Sequence, residues 1–402
     1  MKKQKTLTDR LVPLILLAAV FAAEMILRRH TFLQKEYFSL FLNTPDYWNE
    51  VWNGPHAFRT LAGDFLAQFF RIVWVGPALV ALAATAVFLL LRRIFRKRFQ
   101  ILLAALVFAV VLIPALLPES REQERWARVE YGTRMQQWDK VIAAATPEAA
   151  EKDRVLIPYA LLAYSEKGTL PENIFRYPVS GPQDLDLEGE ITRHGYYFAQ
   201  MNAECLGCTN EAIHHAFQTA CTTPHGMSLG TLRELIKYNI AAGNRAMVRK
   251  YCDILEHNPM NAATARAAHR YAESMPGQGY LDAGPSDSAS VVTHNMFQTL
   301  RAMAQEGYFN EAAADRLRCL LLLQRDIRNF ATTFPPETDI AALPLCYQQA
   351  LCLVGDTDIQ RQISPAVTAA FQSYMEAYNQ IRMKEDDPIQ PGTFWEYYFL
   401  SY

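Results

Sequence analysis

The chain has 402 residues, half of them hydrophobic, enough for a sizeable core and for more than one domain. Its 39 basic and 41 acidic residues leave a formal charge of −2. So even a balance excludes a protein whose overall field gathers nucleic acid or acidic ligands, and no nucleic-acid partner is expected.

The first element is LVPLILLAAVFAAEMIL, residues 11–27, an apolar run behind the basic start MKKQK. Small residues at Ala18, Ala19, Ala22 and Ala23 also suit a cleaved signal peptide. Glu24 followed by Arg28 and Arg29 favours a retained helix ending at an interface, where long charged side chains reach water. An acid inside a membrane helix is a functional candidate by default, but the position of Glu24 near the helix end points to interfacial exposure.

Residues 31–70 are dense in aromatics, among them Phe32, Tyr37, Phe41, Tyr47, Trp48, Trp52, Phe58 and Phe65, and are expected to lie along the membrane interface. NTPDYW and NGPH supply turns within this loop. Residues 72–91 contain no charge and are long enough to cross a hydrocarbon core of roughly 30 Å. Residues 99–117 form a third run whose Pro114 is tolerable in a membrane helix. Between the last two lies RRIFRKR, residues 92–98, with five positive charges, a strong cytoplasmic marker. Lys2, Lys3, Lys5 and Arg10 put the N-terminus on the same side, and only Arg28 and Arg29 oppose this orientation. Three crossings from a membrane region at 1–118 then send residues 119–402 across the cytoplasmic membrane, into the periplasm of a Gram-negative cell.

From Ser120 onward the apolar residues recur every three to four positions, with no period-two strands, which predicts an all-α fold and excludes most nucleotide-binding α/β folds. Gly207, Gly243 and Gly307 each end a helix, and Ala212, Ala246 and Ala312 follow each within five residues. The first interval is 36 residues, near the roughly 34-residue period of tetratricopeptide hairpins, so the reading is a tetratricopeptide-like solenoid with a concave binding surface. The terminal TFWEYYFLSY is expected to cap it, with Phe394, Trp395, Tyr398 and Phe399 on the last long helix.

Three stretches mimic chemistry. HGMSLG places Gly226, Ser228 and Gly230 in the G-x-S-x-G spacing of a nucleophile elbow, which works only at a strand-to-helix turn. In a helical context Ser228 or Thr231 reads as a helix cap instead. EAIHH contains Glu211-x-x-His214, half of a di-iron motif whose second half is absent, and His215 follows about 100° further round the helix. Cys205, Cys208 and Cys221, with His225 downstream, invite a zinc or thiol-redox reading, but only the first pair has ligand spacing. ECLGCTNEAIHH is better explained as a repeat boundary: Cys205 closes a helix, Gly207 turns, and Thr209 or Asn210 caps the next. A disulfide among Cys205, Cys208 and Cys221 stays open, since seven cysteines in an oxidising compartment leave at least one unpaired. Cys252, Cys319, Cys346 and Cys352 sit in apolar helical contexts and read as small hydrophobes. No catalytic residue, cofactor or metal ligand is expected.

FLNTPDYW and GDFLAQFF near the membrane, then YALLAYSEKGTLPENIFRYP, LGCTNEAIHHAFQTA, LPLCYQQALCL and the aromatic C-terminus, resemble a family of uncharacterised multi-pass membrane proteins of Bacteroidota with a C-terminal tetratricopeptide-like domain. The resemblance implies architecture and location and carries no catalytic motif. Longer members have many more spanning helices between the first loop and the repeats, so any chemistry housed there is missing here. The function that follows is a non-enzymatic, membrane-anchored scaffold whose exported domain binds a protein or peptide. The alternative is a reduced relative of a polytopic transferase or transporter acting on envelope glycans or lipids, with loop 31–70 facing its substrate.

Overall fold

A computed structural model of the protein describes residues 7–95, 99–185, 192–275, 295–305, 310–381 and 392–400. Every regular element among the described residues is a helix. Contacts divide the chain into two compact units, Met1–Tyr131 with Ala216–Leu281, and Gly132–His215 with Asp282–Tyr402. This division differs from the boundary at 118/119 that hydropathy marks. Hydropathy registers where lipid-soluble runs stop, whereas packing joins helices that share buried faces, however far apart in sequence.

The first unit contains three long apolar helices, Leu7–Leu27, Val75–Ile94 and Gln100–Leu116. Their inner faces meet through Leu16, Val20, Ala81, Ala84, Phe88, Leu103 and Val107, where the small alanines let neighbouring backbones approach. Their outer faces are equally apolar, with Leu14, Ile15, Leu82, Leu90, Ile101, Leu102 and Val110 all exposed. A helix apolar on every side suits burial, whether in a large core or in a membrane. Arg10–Leu27 and Val75–Ile94 are long and apolar enough to cross a membrane, and Gln100–Leu116 makes a third if joined to Pro118–Arg134 across a 64° bend. The bend has a local cause, since Leu117 is extended and Pro118 cannot continue the hydrogen-bond ladder but suits the start of a new helix.

The aromatic stretch is helical where a loop was expected. It forms Arg29–Phe38, Pro45–Asn53, Ala57–Ala67 and a 3-10 turn, Gln68–Arg71. Thr44 caps the second of these by accepting from the Tyr47 amide, with Pro45 in the first turn. Phe32, Tyr37, Phe41 and Tyr47 are buried, so they form core and do not lie on an interface; Trp52, Phe58 and Trp74 remain exposed. The stretch buries them against helices that follow much later in the chain. Leu229–Ala241 packs on Arg29–Phe38, and Arg245–Glu256 and Ala262–Ser274 pack each on its predecessor.

After Ser120, glycine ends several helices among the described residues. Gly168, Gly207 and Gly243 have φ of 67°, 73° and 69°. In each case the next amide reaches back to the last turn: Thr169 N to Tyr164 O, Cys208 N to Ala203 O and Asn244 N to Asn239 O. Gly307, Lys2, Lys3, Lys5 and residues 96–98 lie outside the described residues. At the C-terminus Trp395 is buried against Phe371 and Tyr374, and the half-buried Phe399 ring contacts Tyr374 and Tyr378, so the aromatic end packs on the helix Pro365–Ile381.

Candidate functional site

Each residue of the false nucleophile elbow has a structural reason. Ser228 caps the helix Leu229–Ala241, its Oγ accepting from the Thr231 amide at 3.1 Å. Gly226 has a φ of 62°, a conformation that favours glycine. A Cβ on Gly230 would stand 2.3 Å from the Tyr37 ring, so this glycine lets two helices touch. The segment before Ser228 is the helix Thr209–Cys221, and the elbow is ruled out because its strand is replaced by that helix.

The chemically distinctive member of the motif is its first residue, which does not join a thiol cluster. His225 is clamped between two carboxylates, Nδ1 at 2.8 Å from Glu50 and Nε2 at 3.0 Å from Asp64. Tyr47 donates its hydroxyl to the same Asp64 oxygen at 2.9 Å. Both imidazole nitrogens therefore face acceptors, which only the protonated ring satisfies. The hydrogen bond to Asp64, opposed by burial and helped by Glu50, raises the His225 pKa to about 9. Burial and Asp64 push the Tyr47 phenol well above its ordinary value, keeping it a donor. The cluster ties Pro45–Asn53 and Ala57–Ala67 to the turn before Leu229–Ala241.

A polar seam runs along the helix Arg29–Phe38, seven of whose ten residues are buried. Glu124 caps its start, accepting from the His30 and Thr31 amides at 3.2 and 2.8 Å and from the Thr31 hydroxyl at 2.9 Å. Its carboxylate also contacts His30 Nδ1 at 2.6 Å. Gln34 donates to Glu130 at 2.6 Å. Arg233 grips Glu36 with both guanidinium nitrogens, at 2.6 and 2.9 Å. Arg71 and Arg233 both reach Asn261 Oδ1, and Asn258 bonds the Phe41 carbonyl. Glu24 is 1% exposed and sits 3.5 Å from Arg28, so it is buried where interfacial exposure was expected. Packing around the helix end encloses it.

In ECLGCTNEAIHH the turn at Gly207 is present, but the cap is Cys208, whose carbonyl accepts from the Ala212 amide, in place of Thr209 or Asn210. Cys205 ends the preceding helix and Cys208 is buried. Cys221 is exposed at the far end of Thr209–Cys221, about 20 Å along the helix axis from Cys208. A disulfide needs Cα atoms within about 7 Å, so Cys221 does not belong with the other two. His214 and His215 do not diverge. The donor atoms of Glu211, His214 and His215 lie within 4.8 Å of one another. The four remaining cysteines are buried, and burial raises the Cys252 and Cys352 thiols to about 11, in keeping with inert packing residues.

The second unit holds a cavity of about 340 Å³. It is lined by Phe175–Val179 and by Gly392, Thr393, Glu396 and Tyr397, with Glu151 beside them. Phe175, Tyr177, Val179 and Tyr397 form a buried floor, and exposed Glu151 and Arg176 stand with Glu396 at the rim. Arg154 holds one wall, donating to the Pro178 carbonyl at 2.7 Å and to Asp184 at 2.8 Å. Tyr177 and Tyr397 anchor the floor by donating to the Ala145 and Leu323 carbonyls. Burial raises the Glu396 pKa, so its charge is held at a cost that a donor from outside would relieve. An apolar floor with a polar rim suits a side chain flanked by hydrogen-bonding groups.

Sequence reasoning missed Glu36, Glu50, Asp64 and Arg233, as well as Arg316, which is 2% exposed in the second unit. Arg316 donates to Ser165, Asn202 and Glu166 at 2.7, 2.8 and 3.0 Å. A signal existed for it, a lone arginine on the apolar face of EAAADRLRCLLLL.

Among the described residues these features define an all-helical protein with two to three helices long and apolar enough to cross a membrane. The chain belongs to a family of unknown function, DUF6057, whose model matches residues 3–122 and 117–401. Searches of curated proteins and of solved structures return no match.

Proposed function

We propose that the protein is a membrane-anchored scaffold of the cell envelope. It crosses the cytoplasmic membrane three times, with its N-terminus inside, and offers a tetratricopeptide-like helical region to a protein or peptide on the outer side. One observation carries the topology. The polar seam joins residues 30–36, which follow the first apolar helix, to Glu124, Glu130 and Arg233, which follow the third. Groups that share buried ion pairs lie on one side of a bilayer, so an even number of crossings separates them. Val75–Ile94 and Gln100–Leu116 supply two. The basic loop from Arg92 onward then faces the cytoplasm, as an excess of positive charge favours. Exposed Trp52, Phe58 and Trp74 meet the bilayer interface beside the second span.

Binding is assigned to the groove of the second unit, where Phe175–Val179 and the aromatic terminus converge. Its size and mixed lining fit one apolar side chain of a polypeptide with its backbone at the charged rim. A photo-crosslinking residue at Arg176 of the full chain tests this in intact cells. A discrete adduct containing a second polypeptide, absent when the residue is placed at the exposed Arg361, is expected. The same adducts from both positions, or none from Arg176, would refute the binding site.

A further inference from the structure

Glu211, His214 and His215 occupy positions i, i+3 and i+4 of one helix. At 100° per residue, Glu211 projects between its two partners, with His214 about 60° to one side and His215 about 40° to the other. Helical side chains also lean toward the N-terminus, which tips both imidazoles down onto the carboxylate one turn earlier. The coordinates show the result. Glu211 Oε1 is 3.3 Å from His215 Nε2, the two imidazole rings stand 5.4 Å apart, and all three donor atoms fall within 4.8 Å of one another.

We propose that Glu211, His214 and His215 form a binding site for a divalent first-row transition metal ion, with zinc as the fitting ion. Ligands around a four-coordinate zinc at about 2.1 Å stand roughly 3.3 Å from each other, the separation already present between Glu211 and His215. His214, whose donor atom lies within 4.8 Å of the other two, needs to close by no more than about 1.5 Å, which its exposed position permits by rotation of its side chain. Two imidazoles and one carboxylate match the nitrogen and oxygen donors that zinc and copper prefer over magnesium or calcium. The helix preorganises the set, because all three residues belong to consecutive turns of a single element. Three protein ligands leave the fourth position open on the side of the exposed His214, where water or a group from another molecule completes the shell. Coordination takes one lone pair from each imidazole, and the ion replaces the direct contact between His215 and Glu211.

The test uses the full chain in detergent, freed of any affinity tag, and zinc chloride alone as the probe. Titration calorimetry at pH 7.5 is expected to show one zinc per chain. His214→Ala is the main variant, since this exposed side chain contributes little to the core, and Glu211→Gln is the second. Each is expected to weaken zinc at least about tenfold while melting like the parent in the absence of metal, and a given zinc concentration raises the melting temperature of the parent more than that of either variant. Copper(II) bound to the parent gives an electron paramagnetic resonance spectrum with two-nitrogen hyperfine structure, reduced to one nitrogen in His214→Ala. No zinc uptake at a stoichiometry of one, or uptake unchanged in both variants, would overturn the site.

Discussion

Replacing His225 with glutamine removes the cation held between Glu50 and Asp64 while keeping a polar side chain of similar size. In the folded protein His225 titrates near 9, whereas in the unfolded chain it titrates near 6.5. Between those values the folded state holds a proton that the unfolded state has released. The stabilisation is therefore complete below about pH 6.5 and disappears as pH rises through about 9. The pKa difference corresponds to an upper limit of about 3 kcal/mol, and the exposure of Glu50 reduces the expected contribution to about 2 kcal/mol. Trp48, whose ring lies 6.4 Å from that of Tyr47, provides a fluorescence signal for this part of the first unit. Urea unfolding in detergent from about pH 6 to pH 10 should show the parent losing about 2 kcal/mol between about pH 6.5 and 9 and little beyond. His225→Gln should lack that step, being less stable than the parent at neutral pH and equal to it at the alkaline end. Superimposable pH profiles for parent and variant would refute the clamp.

Gly230→Ala places a methyl group in the Tyr37 ring and should cost about 1–3 kcal/mol by the same unfolding assay, whereas Gly226→Asn, at a left-handed position with open space, should cost much less. Arg316→Met leaves Ser165, Asn202 and Glu166 without their common donor, and a loss of about 3 kcal/mol or more is expected from the melting of the second unit. Trp395→Phe removes the indole bond to the Gln349 carbonyl and part of the ring volume and should cost about 2 kcal/mol, while Trp395→Ala empties a fully buried site and should cost about 3–5 kcal/mol.

The elements legible in the sequence are those with local causes. Apolar runs near 11–27, 72–91 and 99–117 are read directly because a span needs about 20 consecutive lipid-soluble residues. Helix ends at Gly207 and Gly243 follow from the left-handed conformation that glycine accepts, and Ser228 follows from side-chain capping. The rest is tertiary. Glu36 and Arg233 meet across 197 positions, and no local period announces such a pair. The same blindness turned the core aromatics of 31–70 into an expected interface, because burial of Tyr37 depends on Gly230 lying opposite. At Glu211, His214 and His215 the error was different. The 100° step between adjacent residues was read as divergence, although a long carboxylate one turn earlier sits between the two rings and draws them together.

Which side of the membrane the C-terminus occupies decides the proposed three-crossing topology most directly. A dual reporter fused after Tyr402, in which alkaline phosphatase is active only outside the cytoplasm and green fluorescent protein only inside, measures this in living cells. Phosphatase activity without fluorescence is the predicted result. Fluorescence without phosphatase activity would place the C-terminus in the cytoplasm and contradict the three-crossing scaffold.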